Sequence, residues 1–282
     1  MTLVLDCFAR DAAFQVSDRR LTDPERGTVV DDETNKAVVV NGRVVFSYTG
    51  LATIEGQPTD EWLARAIADG PTEDLAAVAR RIADRATEAF RWLNYESRFK
   101  RHAFRGTGWF RLKNEDSYSP GLITVHNAFD HKTGCWLPQP LNEFKVASYF
   151  PSKLPGDCLI RNVGMTPTAQ ERSAIVRLVR KCASHPKATT LAVLDAIVMA
   201  VQWLSKHRRY KTIGSSFMAI CLPRSCVEKF DGTGGFIMLA GKPEDSAPSF
   251  YYVPAEGAAP IFFGPIFVAG QTILTGFQGG SR

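Results

Sequence analysis

AVVVNGRVVFSY, residues 37–48, reads as a β-hairpin. Two runs of β-branched residues flank Asn41-Gly42, and a two-residue Asn-Gly loop takes the positive φ angles that a type I′ turn requires. Working outward toward the start, TLVLDCFA (2–9) and AAFQV (12–16) form an earlier pair of short strands joined at Arg10-Asp11, so four strands open the chain. Outward in the other direction the apolar period changes from two to 3.6. PTDEWLARAIADG (58–70) is a helix in which Thr59 is the expected cap, Asp60 and Glu61 suit the positive end, and Gly70 closes it. PTEDLAAVARRIADRATEAFRWL (71–93) carries Leu75, Val78, Ala79, Ile82, Ala86 and Phe90 on one stripe.

Residues 94–120 are polar and irregular, with RGTGWFRL (105–112) the one segment of strand character. Strand-like runs then return in LITVHNAF (122–129), EFKVASYF (143–150) and DCLIRNVG (157–164). Two more helices follow. TPTAQERSAIVRLVRKC (166–182) opens with Thr168 and Glu171 at capping-box spacing. TTLAVLDAIVMAVQWLSKH (189–207) is apolar almost all round and is expected to be buried. SSFMAICL (215–222), GFIMLAG (235–241) and SFYYVP (249–254) are strand-like again.

Helices thus come in adjacent pairs, not one after each strand, which argues against a doubly wound parallel sheet. Two antiparallel sheets packed face to face, with a helix pair on each outer face, would cover every apolar surface. The expectation is an α+β fold, a four-layer αββα sandwich over residues 1–254. An irregular insertion occupies 94–120, and a Gly-, Pro- and Phe-rich extension occupies 255–282.

Composition narrows the function classes. With 282 residues, 45% hydrophobic and 22% charged, the chain can bury a sizeable core. The net charge of +5 is dispersed, with loose basic clusters in RFKRHAFR (98–105) and KHRRYK (206–211). No reader motif surrounds them, so solvated faces or subunit contacts are favoured over a nucleic-acid groove. The six cysteines form no CxxC pair and no zinc-finger spacing, and read as reduced core thiols of a cytoplasmic protein without metal or cofactor. Asp6 and Arg10 interrupt the apolar start, unlike a signal peptide, and LAVLDAIVMAVQWL (191–204) carries Asp195 and is too short to span a bilayer. His126 with His131 is the only near pair of histidines, and reads as polar surface. Gly232–Gly235 (GTGG) lacks the Lys-Ser/Thr of a phosphate loop, and Cys7 inside strand one is a packed thiol before it is a nucleophile.

One constellation stands out. Thr2 begins the first strand, and Asp18 lies sixteen residues later at the end of the second. Lys36 begins the third, and Gly50 follows the fourth, fourteen residues beyond Lys36. Hairpin arithmetic makes Thr2 and Asp18 neighbours and puts Lys36 and Gly50 at matching ends. Thr2, Asp18 with Arg20 in SDRRLT (17–22), Lys36 in ETNKAVVV (33–40) and Gly50 in FSYTGLA (46–52) resemble the proteasome β-subunit pattern of N-terminal nucleophile hydrolases. The resemblance is specific over residues 2–70, and that family's fold is also the αββα sandwich.

The resemblance implies that Met1 is removed and that the Thr2 hydroxyl attacks a carbonyl with its own α-amine as base. Lys36 would lower the pKa of that amine, Asp18 would anchor Lys36, and the Gly50 N–H would receive the oxyanion. Arg20 would brace the loop, with Ser17 in support beside Asp18. The family also has a Ser before the third helix, and an Asp and a Ser after the fourth. Here RNVGMTPT (161–168) has Met165 at the first place, leaving Thr166 as the substitute. HRRYKTIGSS (207–216) holds no Asp, and Ser215 or Ser216 stands for the Ser. The expected partner is a peptide or amide substrate within a homo-oligomeric ring or stacked assembly. The alternative is a catalytically inactive scaffold or assembly protein on the same fold.

Overall fold

The computed structural model describes residues 2–9, 11–23, 25–112, 117–130, 135–151, 158–207, 212–229, 239–240, 248–253, 262–275 and 278–279. Met1, Arg10, His131, Gly232–Gly235 and the strand-like residues 235–238 lie outside them. The chain is a mixed α and β protein with two large sheets. The opening strands are β1 (Leu3–Ala9) and β2 (Ala12–Asp18), then β3 (Ala37–Val40) and β4 (Val44–Thr49). The turn between β3 and β4 has φ of 48° at Asn41 and 63° at Gly42, the pair of positive angles expected of Asn-Gly. A short ladder of Leu21–Thr22 with Val29–Asp31, which no local pattern announces, lies in the loop between β2 and β3.

Helices α1 (Thr59–Ala68) and α2 (Leu75–Trp92) follow. Thr59 does not cap α1: Pro58 holds the cap position, and the Thr59 hydroxyl donates instead to the Leu51 carbonyl at 2.9 Å. Asp74 caps α2 through the amides of Ala76 and Ala77. Residues 94–120 are not an irregular insertion. They contain β5 (Ala103–Arg111), an interior strand of its sheet, and the start of β6 (Tyr118–His126). Gly106 and Gly108 mask the strand in a propensity reading. A Cβ at Gly106 would lie 2.7 Å from the Phe46 ring, which packs where that side chain would stand, and one at Gly108 would lie 2.1 Å from the Arg43 carbonyl, a close approach of backbone to backbone.

Next come β7 (Lys145–Tyr149) and β8 (Cys158–Gly164), then α3 (Ala169–Ala183) with its Thr168–Glu171 capping box formed, and α4 (Thr190–Ser205). Helix α4 is buried on one face only, leaving Met199 59% and Trp203 43% exposed. The chain continues through β9 (Phe217–Pro223), β10 (Leu239–Ala240), β11 (Ser249–Val253), β12 (Ile266–Ala269) and β13 (Thr272–Leu274). One sheet has the order β8-β1-β2-β9-β11-β10 and the other β7-β6-β5-β4-β3-β12-β13. The stretch beyond residue 254 therefore adds strands to a sheet, where sequence suggests an extension. Two pairings, β12 on β3 and β10 on β11, are parallel, so neither sheet is purely antiparallel.

Three of the apolar clusters among the described residues follow from strand alternation. Val38, Phe46 and Phe104 face α1 and α2. Leu3, Phe14 and Phe217 face α3 and α4. Phe8, Val39, Trp109 and Met218 come from both sheets and pack together. No helix among the described residues is long and apolar enough to cross a membrane.

Candidate active site

The register of the first hairpin builds the site. Val4 is opposite Ser17, so Leu3 meets Asp18 at the end of the ladder, and the Leu3 amide donates to Asp18 Oδ2 at 2.5 Å. Asp18 Oδ1 accepts from the Arg20 amide at 3.0 Å. Lys36 arrives from the other sheet, immediately before β3. Its neighbour Asn35 bonds both backbone groups of Ala37 and donates to Asp60 Oδ2 at 2.9 Å, which locks the start of β3 to the first turn of α1.

The Lys36 Nζ donates to Thr2 Oγ1 at 2.7 Å, to Asp18 Oδ1 at 3.2 Å and to the Arg20 carbonyl. Thr2 is 4% exposed, and Asp18 and Lys36 are fully buried. Burial lowers the lysine pKa first, the adjacent Asp18 raises it, and Arg19 lowers it again, with a net direction downward. Thr2 Oγ1, Asp18 Oδ1 and the Arg20 carbonyl match the three protons of an ammonium, and the Asp18 carboxylate favours that charged form. The contacts therefore hold Lys36 as a cation even though burial disfavours it. Because Thr2 Oγ1 accepts from that cation, its own proton is left to be passed elsewhere.

The Thr2 carbonyl is gripped separately. It accepts from the Met165 amide at 3.0 Å and the Thr49 hydroxyl at 3.3 Å. Gly164, φ 92°, makes room for this contact, since a Cβ there would lie 1.8 Å from the Thr2 oxygen. We expect Gly164→Ala to lower stability by about 2 kcal/mol more than Gly56→Ala. Gly56 also has positive φ (75°), but a methyl added there would meet nothing within 4 Å, so it measures the backbone strain alone. Equal urea midpoints for the two variants would remove Gly164 from the support of Thr2.

The other expected site residues divide. Gly50 adjoins Thr49 and has φ 128°; a Cβ there would lie 2.5 Å from His102 Nδ1. The Arg20 side chain binds Asp32 at 2.6 and 3.0 Å, bracing the loop between β2 and β3. Ser17 is buried, on the opposite face of β2 from Asp18 by alternation. Thr166 is half-buried just beyond Met165, and Ser215 is exposed. Ser216 is buried, and its hydroxyl donates to the Asp32 carbonyl at 2.5 Å, while its own carbonyl accepts from the Arg19 amide at 3.1 Å. The segment after α4 thus supports the Arg20–Asp32 loop.

His102 belongs in sequence to a basic run, yet it is fully buried at the start of β5. Its Nδ1 accepts from the Leu51 amide at 3.1 Å, next to Gly50, which places the proton on Nε2. Its ring lies parallel to Tyr48 at 5.9 Å and packs on Phe90 and Phe104. The signal that could have found it is period two: His102 and Phe104 fall on one face of a strand. Burial pushes the imidazole pKa from 6.5 down to about 3. A folded value below the unfolded one gives stability that is full above 6.5 and is lost as pH falls toward 3. Between pH 7 and pH 5 the loss assigned to His102 is about 2 kcal/mol. Urea unfolding of the wild type should show it, and His102→Gln should flatten that slope; an unchanged slope would disprove the linkage.

No family model and no curated protein matches the chain.

Proposed function

We propose that this protein is an amide or peptide hydrolase whose nucleophile is Thr2 at a mature N-terminus, built as a four-layer αββα sandwich of the proteasome β-subunit kind. The observation that carries the reading is the Lys36 ammonium, 2.7 Å from Thr2 Oγ1 and 3.2 Å from Asp18 Oδ1, buried with both. The packed inner faces of the two sheets, with α1 and α2 against one outer face and α3 and α4 against the other, support the layered fold.

Removal of Met1 would free an α-amine whose ordinary pKa is about 7.7–8.0. The nearby Lys36 cation disfavours a second positive charge and keeps that amine basic but unprotonated at neutral pH. The amine takes the Thr2 hydroxyl proton as Oγ1 attacks the substrate carbonyl. The Gly50 N–H receives the developing oxyanion. The amine then delivers the proton to the leaving nitrogen, and water hydrolyses the acyl ester. Lys36 donates to the nucleophile throughout, and Asp18 fixes Lys36. The substrate enters as a peptide or amide, and the natural assembly is a homo-oligomer, a ring or a stacked assembly.

Treatment with a peptide epoxyketone followed by intact-mass measurement tests this. The expected product begins at Thr2 and carries one inhibitor per chain. A chain that begins at Thr2 yet takes no adduct identifies the second reading, an inactive scaffold on the same fold. That reading draws on residues 207–216, which supply no acid and brace a loop through Ser216.

A further inference from the structure

One concavity is lined by none of Thr2, Asp18 and Lys36. It has a volume of about 530 Å³ and opens where the edge strands β7 and β8 run beside the first turns of α3. Its walls are of two kinds. Leu5, Leu122, Ile160 and Ile175 form an apolar floor, and Arg105, Arg161 and Arg172 supply three guanidinium groups. No acidic residue is among the described residues that line it.

The three arginines differ in what they are free to do. Arg105 is 5% exposed; its Nε lies 3.3 Å from Asp6 Oδ2, and it donates to the Asn162 carbonyl at 3.2 Å. Its charge is balanced within the protein, and it fixes the inner wall. Asp6 in turn accepts from Gln15 and Thr107, which anchors this pair between the two sheets. Arg161 and Arg172 are exposed, and neither is paired with a carboxylate among the described residues. Arg161 lies over the Tyr149 ring at 5.4 Å, which holds its guanidinium on the rim. The outer face of α3 adds Arg177, Arg180 and Lys181 around a shallower groove that shares Arg172 and Val176 with the cavity. The field at the mouth is therefore positive, the floor is greasy, and the volume falls within the roughly 300–1,000 Å³ of small-molecule sites.

From this juxtaposition we propose that the cavity between β7, β8 and α3 binds an amphipathic carboxylate, a small molecule with one anionic head and a short hydrocarbon tail. The head would be taken by Arg161 and Arg172 in charge-assisted hydrogen bonds, with Thr124 and Ser148 as further donors. The tail would cover Leu122, Ile160 and Ile175. The inference is independent of the chemistry at Thr2.

Calorimetric titration of the full chain with octanoate tests the proposal, with acetate, inorganic phosphate and octanol as comparison probes. Octanoate should bind at least about tenfold more tightly than each of the three. Arg161→Ala and Arg172→Ala should each weaken it by about tenfold. Both residues are exposed, so the variants should keep the wild-type melting temperature. Ala147→Phe, on the half-buried wall of edge strand β7, should block the site by filling it while leaving the arginines in place. Absence of octanoate binding overturns the proposal, as does equal binding by the wild type and the Arg161→Ala/Arg172→Ala double variant. Phosphate or acetate matching octanoate would make this a bare anion site, and octanol matching it a generic apolar void; either result also overturns it.

Discussion

Thr2→Ala is expected to abolish amide hydrolysis, lowering kcat/KM on the order of 10³-fold or more, while Thr2→Ser retains measurable turnover. The alanine variant removes the atom that would form the acyl bond. It also leaves one Lys36 proton facing no hydroxyl, which costs about 1–3 kcal/mol in a site this buried. Serine keeps the oxygen and its contact with Lys36 and loses only the methyl. The comparison therefore separates loss of the nucleophile from loss of packing. Turnover of a fluorogenic peptide amide, measured beside urea unfolding, reads both. If Thr2→Ala hydrolyses the substrate as the wild type does, the reaction belongs to another residue or to a contaminant.

The three residues that meet in the site are legible in the sequence because short-range rules place them. The Asn41-Gly42 turn fixes the β3–β4 register, and the turn after Ala9 fixes that of β1 and β2, so the ends carrying Thr2, Asp18 and Lys36 follow from counting. The supporting residues are not legible, because they reach the site through contacts between distant segments. Met165 presents its backbone amide, so its side-chain identity gives no sign of the role. His102 sits among arginines and lysines that suggest a solvated run, and packing against Tyr48, Phe90, Phe104 and Phe144 buries it. Ser216 is expected near the nucleophile, but the β2–β9 pairing brings it to the Arg20–Asp32 loop. The same limit explains β12. Nothing local in IFVA announces a parallel partner fed from the end of the chain, and the exposed edge of β3 recruits it.

Lys36→Met should destabilise the protein by about 3–5 kcal/mol, and adding Asp18→Asn should restore much of that loss. The cause is asymmetric. Methionine leaves the Asp18 carboxylate fully buried with the Leu3 and Arg20 amides as its donors among the described residues, and without the ammonium that lies 3.2 Å from it. Replacing both residues removes the uncompensated ion, so the double variant should be more stable than Lys36→Met alone. A double-mutant cycle from urea unfolding measures the coupling. Additive losses would mean that the 3.2 Å contact carries no net interaction. Activity separates the structural part of the pair from the chemical part. The double variant should fold yet remain inactive, because the Lys36 ammonium no longer faces Thr2 Oγ1 or disfavours protonation of the terminal amine. A refolded but active double variant would break the link between this ion pair and the reaction while leaving its role in the fold intact.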